Sequence, residues 1–170
     1  MRRLIALATV AVIAAVVLVI AATTGGGAQQ PAPAVASGAY SSDAHTQRTA
    51  AGTVALAKSN LGSILVDARG RTLYLFEADK PGVSDCSGSC ASIWPPLTAI
   101  ATPRAGTGVI AGKLATIARA GGERQVTYNG HPLYTYAGDT KAGATTGQAL
   151  DQFGAEWYVV NAAGAKIDED

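Results

Sequence analysis

The residues of this sequence that could bind a ligand or take part in catalysis belong to a motif that occurs twice. Both copies read Gly-x-x-Leu-Tyr-x-aromatic-x-x-Asp, the first beginning at Gly70 and the second at Gly130. A recurrence with these residues in register indicates a duplicated supersecondary unit. In each copy the side chains that could act are the tyrosine, the second aromatic residue and the aspartate: Tyr74, Phe76, Asp79, Tyr134, Tyr136 and Asp139.

These side chains support two interpretations. Alternate residues of a strand point to one face, so the two aromatics of each copy share a face and the aspartate follows where the strand ends. The aspartate could cap the turn while the aromatics belong to the core. Alternatively, aromatics and carboxylates together line a ligand cleft. A weaker hypothesis pairs Asp79 with Asp139 as glycosidase carboxylates, which would lie roughly 5 to 9.5 Å apart.

Cys86 and Cys90 are the two cysteines of the chain. Two cysteines alone in an exported protein most often pair, and the Ser-Gly-Ser between them allows a compact turn. The sequence therefore predicts a structural disulfide. The spacing matches neither a redox Cys-x-x-Cys motif nor a zinc site, so we predict no metal and no cofactor. An envelope redox or metal-handling function for this pair is the alternative.

Strands must position these side chains. Residues 63–67 and 71–76 flank a glycine-containing turn and predict one β-hairpin. Residues 125–128 and 133–136 flank Asn-Gly, which suits a two-residue turn with positive φ at both positions, and they predict a second. Residues 153–160 predict a last strand that completes the sheet begun by the first hairpin. The predicted fold is mainly β, a compact antiparallel β domain built from two hairpin repeats.

The N-terminal part of the sequence predicts export. Arg2 and Arg3 precede an uncharged apolar run, residues 4–22, which as a helix would cover roughly 28 Å, close to the hydrocarbon thickness of a bilayer. Its length favours a retained single-pass anchor, whereas Ala-Val-Ala at 34–36 offers a cleavage site for a secretory signal. In both cases the paired arginines stay in the cytoplasm and the C-terminal part is extracytoplasmic.

The composition divides the chain into three segments. Residues 1–22 form the anchor or signal segment. Residues 23–52 are rich in Gly, Ala, Gln, Pro and Ser and predict a disordered tether, because they cannot bury enough apolar surface to offset ordering entropy. Residues 53–170 form the β-repeat extracytoplasmic domain.

Charge and histidine content exclude several function classes. The chain has 13 basic and 12 acidic residues, so no strong positive field attracts nucleic acid. Of the two histidines, His45 lies in the tether and His131 in a predicted turn. No pattern places a base beside a nucleophile, so we predict that the protein is not an enzyme.

The doubled motif, the Cys-Ser-Gly-Ser-Cys run at 86–90 and the Trp-Pro-Pro-Leu segment at 94–97 together resemble a bacterial family described as secreted repeats of unknown function. The family is also described as predicted lipoproteins with a Tyr-x-(Phe/Trp/Tyr)-x-x-Asp motif. The resemblance covers most of residues 60–162. It implies an exported, repeat-built domain and supplies no catalytic activity. One departure is that no cysteine follows the apolar run to accept a lipid.

The predicted function is that of a non-enzymatic domain of the cell envelope that binds a ligand or supports structure. Its predicted partners are the membrane, through residues 4–22, and an envelope protein or surface ligand. The predicted location is the cell membrane, with secretion after signal cleavage as the alternative.

Overall fold

A computed structural model describes residues 52–168 of the chain. The predicted export segment and nearly all of the predicted tether lie outside the described residues. No helix between residues 52 and 168 is long and apolar enough to cross a membrane. The elements, in chain order, are β1 (Thr53–Ser59), β2 (Gly62–Asp67), β3 (Tyr74–Phe76), α1 (Ser89–Ile93), β4 (Arg104–Ala105), a 3₁₀ turn (Ala111–Lys113), β5 (Leu114–Ala118), β6 (Arg124–Tyr128), β7 (His131–Pro132), β8 (Leu150–Gln152) and β9 (Ala155–Val159).

The strands form three small sheets, so the prediction of a mainly β domain is confirmed. Their strand orders are β2-β1-β4, β3-β9-β8 and β5-β6-β7. Every strand pair in these sheets is antiparallel except β1 with β4, which is parallel. The β1–β2 hairpin was not predicted, because its first strand is rich in alanine and shows little alternation.

The first predicted hairpin is much shorter than expected. Strands β2 and β3 belong to different sheets, and the hairpin is limited to the bridge between Val66 and Thr72 and the bond from the N–H of Leu73 to the carbonyl of Leu65. Val160 then separates the two arms, since its carbonyl accepts the N–H of Leu65 at 2.8 Å and its N–H donates to the carbonyl of Leu73 at 3.1 Å. The chain after Leu73 therefore pairs with other strands.

The second predicted hairpin is present around Asn129 and Gly130, whose φ values are 52° and 87°. Its second arm is β7 followed by Leu133, whose N–H still donates to the carbonyl of Val126 in β6 at 3.0 Å. Leu97 then separates the two arms, since its carbonyl accepts the N–H of Val126 at 2.8 Å and its N–H donates to the carbonyl of Leu133 at 2.9 Å. Residues 134–136 leave β6 and pair elsewhere. Both hairpins thus send their aromatic arm away from the strand that precedes it.

The predicted last strand is a hairpin in the structure. A two-residue turn at Phe153 and Gly154 separates β8 from β9, with Gln152 paired to Ala155 across it. Strand β9 pairs with β3, with Tyr74 opposite Val159. The expectation that the final strand completes the first repeat's sheet is confirmed.

Both faces of the central strands are buried, which explains their continuous apolar runs. Alternate residues of β2 and of the segment leading into β3 enter two different clusters. The aliphatic cluster comprises Val54, Leu65, Leu73, Leu75, Leu97, Ala99, Val126, Tyr128, Leu133, Tyr158 and Val160. The aromatic cluster comprises Ile64, Val66, Tyr74, Phe76, Cys86, Cys90, Trp94, Tyr134, Trp157 and Val159.

Candidate functional site

The two motif tyrosines meet directly through their backbones. Tyr74 N–H donates to the carbonyl of Tyr134 at 2.9 Å, and Tyr134 N–H donates to the carbonyl of Tyr74 at 3.0 Å. Both side chains are fully buried. The arms that leave the two hairpins therefore cross at this antiparallel bridge, and it joins the first copy of the motif to the second.

The side chains of the motif bond between copies. The Tyr74 hydroxyl donates to Asp139 Oδ2 at 2.7 Å, and the Tyr134 hydroxyl donates to Asp79 Oδ2, also at 2.7 Å. Each tyrosine therefore binds the aspartate of the other copy. We call these two interactions the crossed bonds.

The second carboxylate oxygen of each aspartate caps the turn that follows it. Asp79 Oδ1 accepts the N–H of Asp85 at 2.7 Å. Asp139 Oδ1 accepts both the N–H and the hydroxyl of Thr146, at 2.9 and 2.6 Å. Both carboxylates are thus occupied on both oxygens, one by a tyrosine and the other by a local turn.

Two backbone hydrogen bonds also join each copy of the motif to the other. Gly82, which follows the first motif, donates its N–H to the carbonyl of Gly130 at 3.3 Å. Gly143, which follows the second, donates to the carbonyl of Gly70 at 2.9 Å. The turn after each motif is therefore held against the hairpin tip of the other copy.

Burial sets the protonation of these groups. It raises the pKa of both tyrosines well above the ordinary value, and the adjacent carboxylates raise it further. Burial also raises the pKa of Asp79, although hydrogen bonds from Tyr134 and Asp85 act in the opposite direction. Near neutral pH the phenols are therefore neutral hydrogen-bond donors. This protonation state suits a structural contact between the two copies and does not suit a phenolate nucleophile.

Four aromatic rings form a continuous stack beside the crossed bonds. Phe76 stacks on Trp157 at a centroid distance of 4.1 Å, Trp157 stacks on Trp94 at 4.0 Å, and Trp94 stacks on Tyr136 at 4.3 Å. The outer rings come from the two motif copies, and each packs on the tryptophan of the other half of the domain. The stack is a second reciprocal contact between the copies.

The tryptophans occupy equivalent places in the two halves. Tyr74 meets the Trp94 ring edge-on at 5.3 Å, as Tyr134 meets Trp157 at 5.1 Å. Both indole N–H groups bond to Gln152, Trp94 to its side-chain oxygen and Trp157 to its carbonyl. Neither tryptophan was among the predicted site residues. The common pattern Trp-x-x-aliphatic at 94–97 and 157–160 could have revealed the equivalence.

The predicted disulfide is present between Cys86 and Cys90, with Cα atoms 5.3 Å apart. Both cysteines are buried in the aromatic cluster. Arg119 fixes the segment before the disulfide, since its guanidinium donates to the carbonyl of Cys86, to Ser84 Oγ and to Gln125 Oε1 at 2.6 to 2.7 Å. No sequence pattern had pointed to this arginine.

Among residues 52–168, the polar side chains outside the crossed bonds are not grouped as a metal site. Within the described part of the chain, no three His, Cys, Asp or Glu side chains are grouped so that they could hold an ion. His131 lies half-buried at a surface cavity of about 320 Å³, which also contacts Asp79 and the Glu77–Lys166 ion pair. His45 lies outside the described residues.

Comparison with known proteins gives one match. A family model described as a secreted repeat of unknown function matches the chain twice, at residues 55–98 and at residues 115–161. The two matched stretches are the halves that the crossed bonds and the ring stack join. No curated protein and no solved structure matches the chain.

Proposed function

Because the chain belongs to the family of secreted repeats of unknown function, we propose that its two repeats form one non-enzymatic extracytoplasmic domain. In this proposal the tyrosine–aspartate motifs hold the repeats together, and the outer surface of the domain binds an envelope protein or a surface ligand. The family description fits a location outside the cytoplasm.

The observation that carries the proposal is the set of crossed bonds. A binding or catalytic motif presents its polar groups to a ligand, whereas Tyr74 and Tyr134 are fully buried and each donates to the opposite aspartate. The aspartates in turn accept from the turns that follow them. The hydroxyls and carboxylates of the motif bond to one another, so they are not available to a ligand. In this proposal a partner therefore binds to another part of the surface.

The experiment compares hydroxyl deletions at three tyrosines. Tyr74→Phe and Tyr134→Phe each remove a crossed bond and leave a carboxylate oxygen without its donor, so each should lower the free energy of unfolding by roughly 1 to 3 kcal/mol. Tyr136→Phe is the matched control, because its ring is in the stack and its hydroxyl makes no hydrogen bond to the described residues. The control should change stability by less than about 0.5 kcal/mol.

A loss of adhesion without a loss of stability would contradict the proposal. If Tyr74→Phe and Tyr134→Phe unfold at the same urea concentration as the unmodified protein but lose adhesion to cell-envelope material, the motif is a binding site. That outcome would refute the structural function proposed here. Urea titrations followed by tryptophan fluorescence report the stability, since both indoles adjoin the crossed bonds.

For the N-terminal segment we propose a membrane-spanning export helix at residues 4–22, either retained as a single-pass anchor or removed as a signal. The apolar, uncharged character of this run supports the proposal. An intact mass of the chain purified from its own envelope distinguishes the two forms. A mass that includes residue 1 supports the anchor, and a new N-terminus near residues 34–36 supports the cleaved signal.

The second candidate function is a redox or metal-handling protein that uses Cys86 and Cys90. The burial of this pair in the aromatic cluster favours it, because the cysteines belong to the same cluster as the stacked rings. This function requires the cysteines to react in the folded protein. Alkylation of both thiols in the native state without reductant would support it, and a two-hydrogen deficit that persists when the folded protein is treated with a thiol reductant would exclude it.

A further inference from the structure

The side chains of residues 52–168 that an oxidant can attack are mainly aromatic. The one methionine of the chain is Met1, and the described part has no free cysteine, because Cys86 and Cys90 are joined by a disulfide. Thiols and thioethers are the usual targets of oxidants in proteins. Without them, the indoles and phenols are the most easily oxidised groups of the domain. The ring stack and the crossed bonds bring these groups together.

The two indoles at the centre of the stack are arranged to share a charge. Trp94 and Trp157 lie 4.0 Å apart with an angle of 5° between their planes, and both are fully buried. Aromatic pairs in proteins more often have centroids about 4.5 to 7 Å apart, so this overlap is closer than usual. Loss of one electron would therefore leave a positive charge spread over both indoles, and this sharing lowers the energy of the oxidised state.

Neither indole is bonded to a group that readily takes up its proton. Both indole N–H groups donate to Gln152, Trp94 to its side-chain oxygen at 2.9 Å and Trp157 to its carbonyl at 3.1 Å. Amide oxygens are neutral acceptors and are much weaker bases than carboxylates. An oxidised indole would therefore keep its proton and remain a cation, which is a stronger oxidant than the deprotonated indole radical.

The buried phenols differ from the indoles because each phenol is bonded to a base. Each lies edge-on to an indole, with centroids 5.3 or 5.1 Å apart, and donates to a carboxylate oxygen at 2.7 Å. A base within hydrogen-bond distance can accept the phenolic proton as the electron leaves. The phenol then becomes a neutral radical, and no positive charge remains in the buried cluster. The two sets are Tyr74 with Trp94 and Asp139, and Tyr134 with Trp157 and Asp79.

We propose that the ring stack and the crossed bonds form a relay for one-electron oxidation, whose substrate is a one-electron oxidant such as a radical. The oxidant accepts an electron from the stack and is reduced, which leaves the positive charge on the indole pair. Tyr74 or Tyr134 then passes an electron to the indoles and its phenolic proton to Asp139 or Asp79. The products are neutral indoles, one tyrosyl radical and one protonated carboxyl group. A one-electron reductant reverses the last step, since the carboxyl group returns its proton to the phenol.

Tyr136 is the surface end of this relay. Its ring stacks on Trp94 at 4.3 Å and is half-buried, whereas Phe76 at the other end of the stack is buried. Gly138 adjoins the Tyr136 ring, and a Cβ at that position would contact it, so no side chain of residue 138 covers the ring. An oxidant in solvent therefore meets the stack at Tyr136 and need not enter the core. The relay is an activity beyond the structural function proposed above, and it does not use the disulfide.

Flash photolysis of the full chain tests the relay. A light flash converts tris-bipyridyl ruthenium(II) to its ruthenium(III) form in the presence of a cobalt(III) acceptor, and the ruthenium(III) complex removes single electrons from the protein. Every sample carries Tyr40→Phe, which removes the one tyrosine outside residues 52–168. We expect a transient indole cation that converts into a tyrosyl radical, and absorption and electron paramagnetic resonance spectra identify both species.

Substitution of the two bases separates the relay from simple burial of the rings. Asp79→Asn combined with Asp139→Asn keeps a side chain of similar size at each crossed bond but leaves no base for the phenolic proton. We expect the indole cation to persist several-fold longer and the yield of tyrosyl radical to fall several-fold. Tyr74→Phe and Tyr134→Phe should each lower that yield. Tyr136→Phe, the matched control, should slow formation of the indole cation and leave its conversion unchanged.

A solvent isotope measurement tests the relay with both crossed bonds intact. If the phenolic proton moves with the electron, the conversion of the indole cation should be slower in heavy water than in ordinary water. An equal rate in the two solvents, equally fast conversion in the folded asparagine variant, or a tyrosyl radical that only Tyr136→Phe removes would overturn the inference. Urea titrations report the structural function separately. An asparagine variant that is less stable but keeps the tyrosyl radical therefore contradicts the relay and leaves the structural function intact.

Discussion

The crossed bonds make a quantitative prediction about which side chains are energetically coupled. The perturbation is a set of four double-mutant cycles that combine Tyr74→Phe or Tyr134→Phe with Asp79→Ala or Asp139→Ala. Two cycles join partners of a crossed bond, and two join residues of the same motif copy. A model in which each motif acts within its own repeat predicts coupling in the same-copy cycles instead.

The expected magnitudes follow from the contacts. A hydrogen bond from a phenol to an ionised carboxylate at 2.7 Å contributes on the order of 1.5 to 3 kcal/mol when partly buried. We therefore expect coupling energies of roughly 1 to 2 kcal/mol for Tyr74 with Asp139 and for Tyr134 with Asp79. Same-copy pairs share no hydrogen bond, so their effects should add within about 0.5 kcal/mol.

Urea unfolding at neutral pH, followed by fluorescence and circular dichroism, gives each free energy. The loss of turn caps in the aspartate variants cancels in the cycle, which leaves the tyrosine–aspartate interaction. Equal coupling in crossed and same-copy cycles would contradict the crossed arrangement of the hydrogen bonds. So would coupling below 0.5 kcal/mol in both crossed cycles.

Three further predictions concern stability. Gly147→Ala should destabilise by about 1 to 3 kcal/mol, because the added Cβ would lie 2.7 Å from the Trp94 ring, whereas Gly121→Ala, in open space, should be nearly neutral by thermal denaturation. Burial raises the pKa of Asp79, so the native state holds its proton more tightly than the unfolded chain, whose aspartates titrate near about pH 4. The resulting stability is present below that pH and is lost as pH rises through the native pKa, so the cost of Asp79→Asn in urea titrations should be larger at pH 4 than at pH 7. Deleting residues 157–170 removes the strand that pairs with β3 and should abolish the cooperative thermal transition; an unchanged transition would contradict the observed pairing.

The sequence was informative where chemistry is local. Asn129 and Gly130 predicted their turn because few residue pairs adopt positive φ in succession. The short loop between Cys86 and Cys90 predicted its disulfide because no other cysteine competes. The apolar runs located most of the strands and the pairing of the last strand with the first repeat, but they missed β1 and its hairpin with β2.

The sequence was uninformative where partners are distant. A repeated motif shows that Tyr74 and Tyr134 are equivalent, but its spacing is the same whether each tyrosine binds its own aspartate or the other one. The two tryptophans were missed because they lie three positions farther apart than the two tyrosines, so the repeats are out of register there. Arg119 has no pattern around it, since two of its three acceptors, on Ser84 and Cys86, lie more than 30 residues away in the sequence.

Reciprocal contacts of this kind are the hallmark of an isologous interface, in which residue i of one protomer meets residue j of the other and the converse also holds. The two repeats of this chain meet as two protomers would, with the bridge between Tyr74 and Tyr134 within the contact. Because both repeats belong to one polypeptide, they need not stay identical. The first repeat alone carries the disulfide, and Arg119 of the second repeat bonds to its Cys86 carbonyl, an asymmetry that a dimer of identical chains could not have.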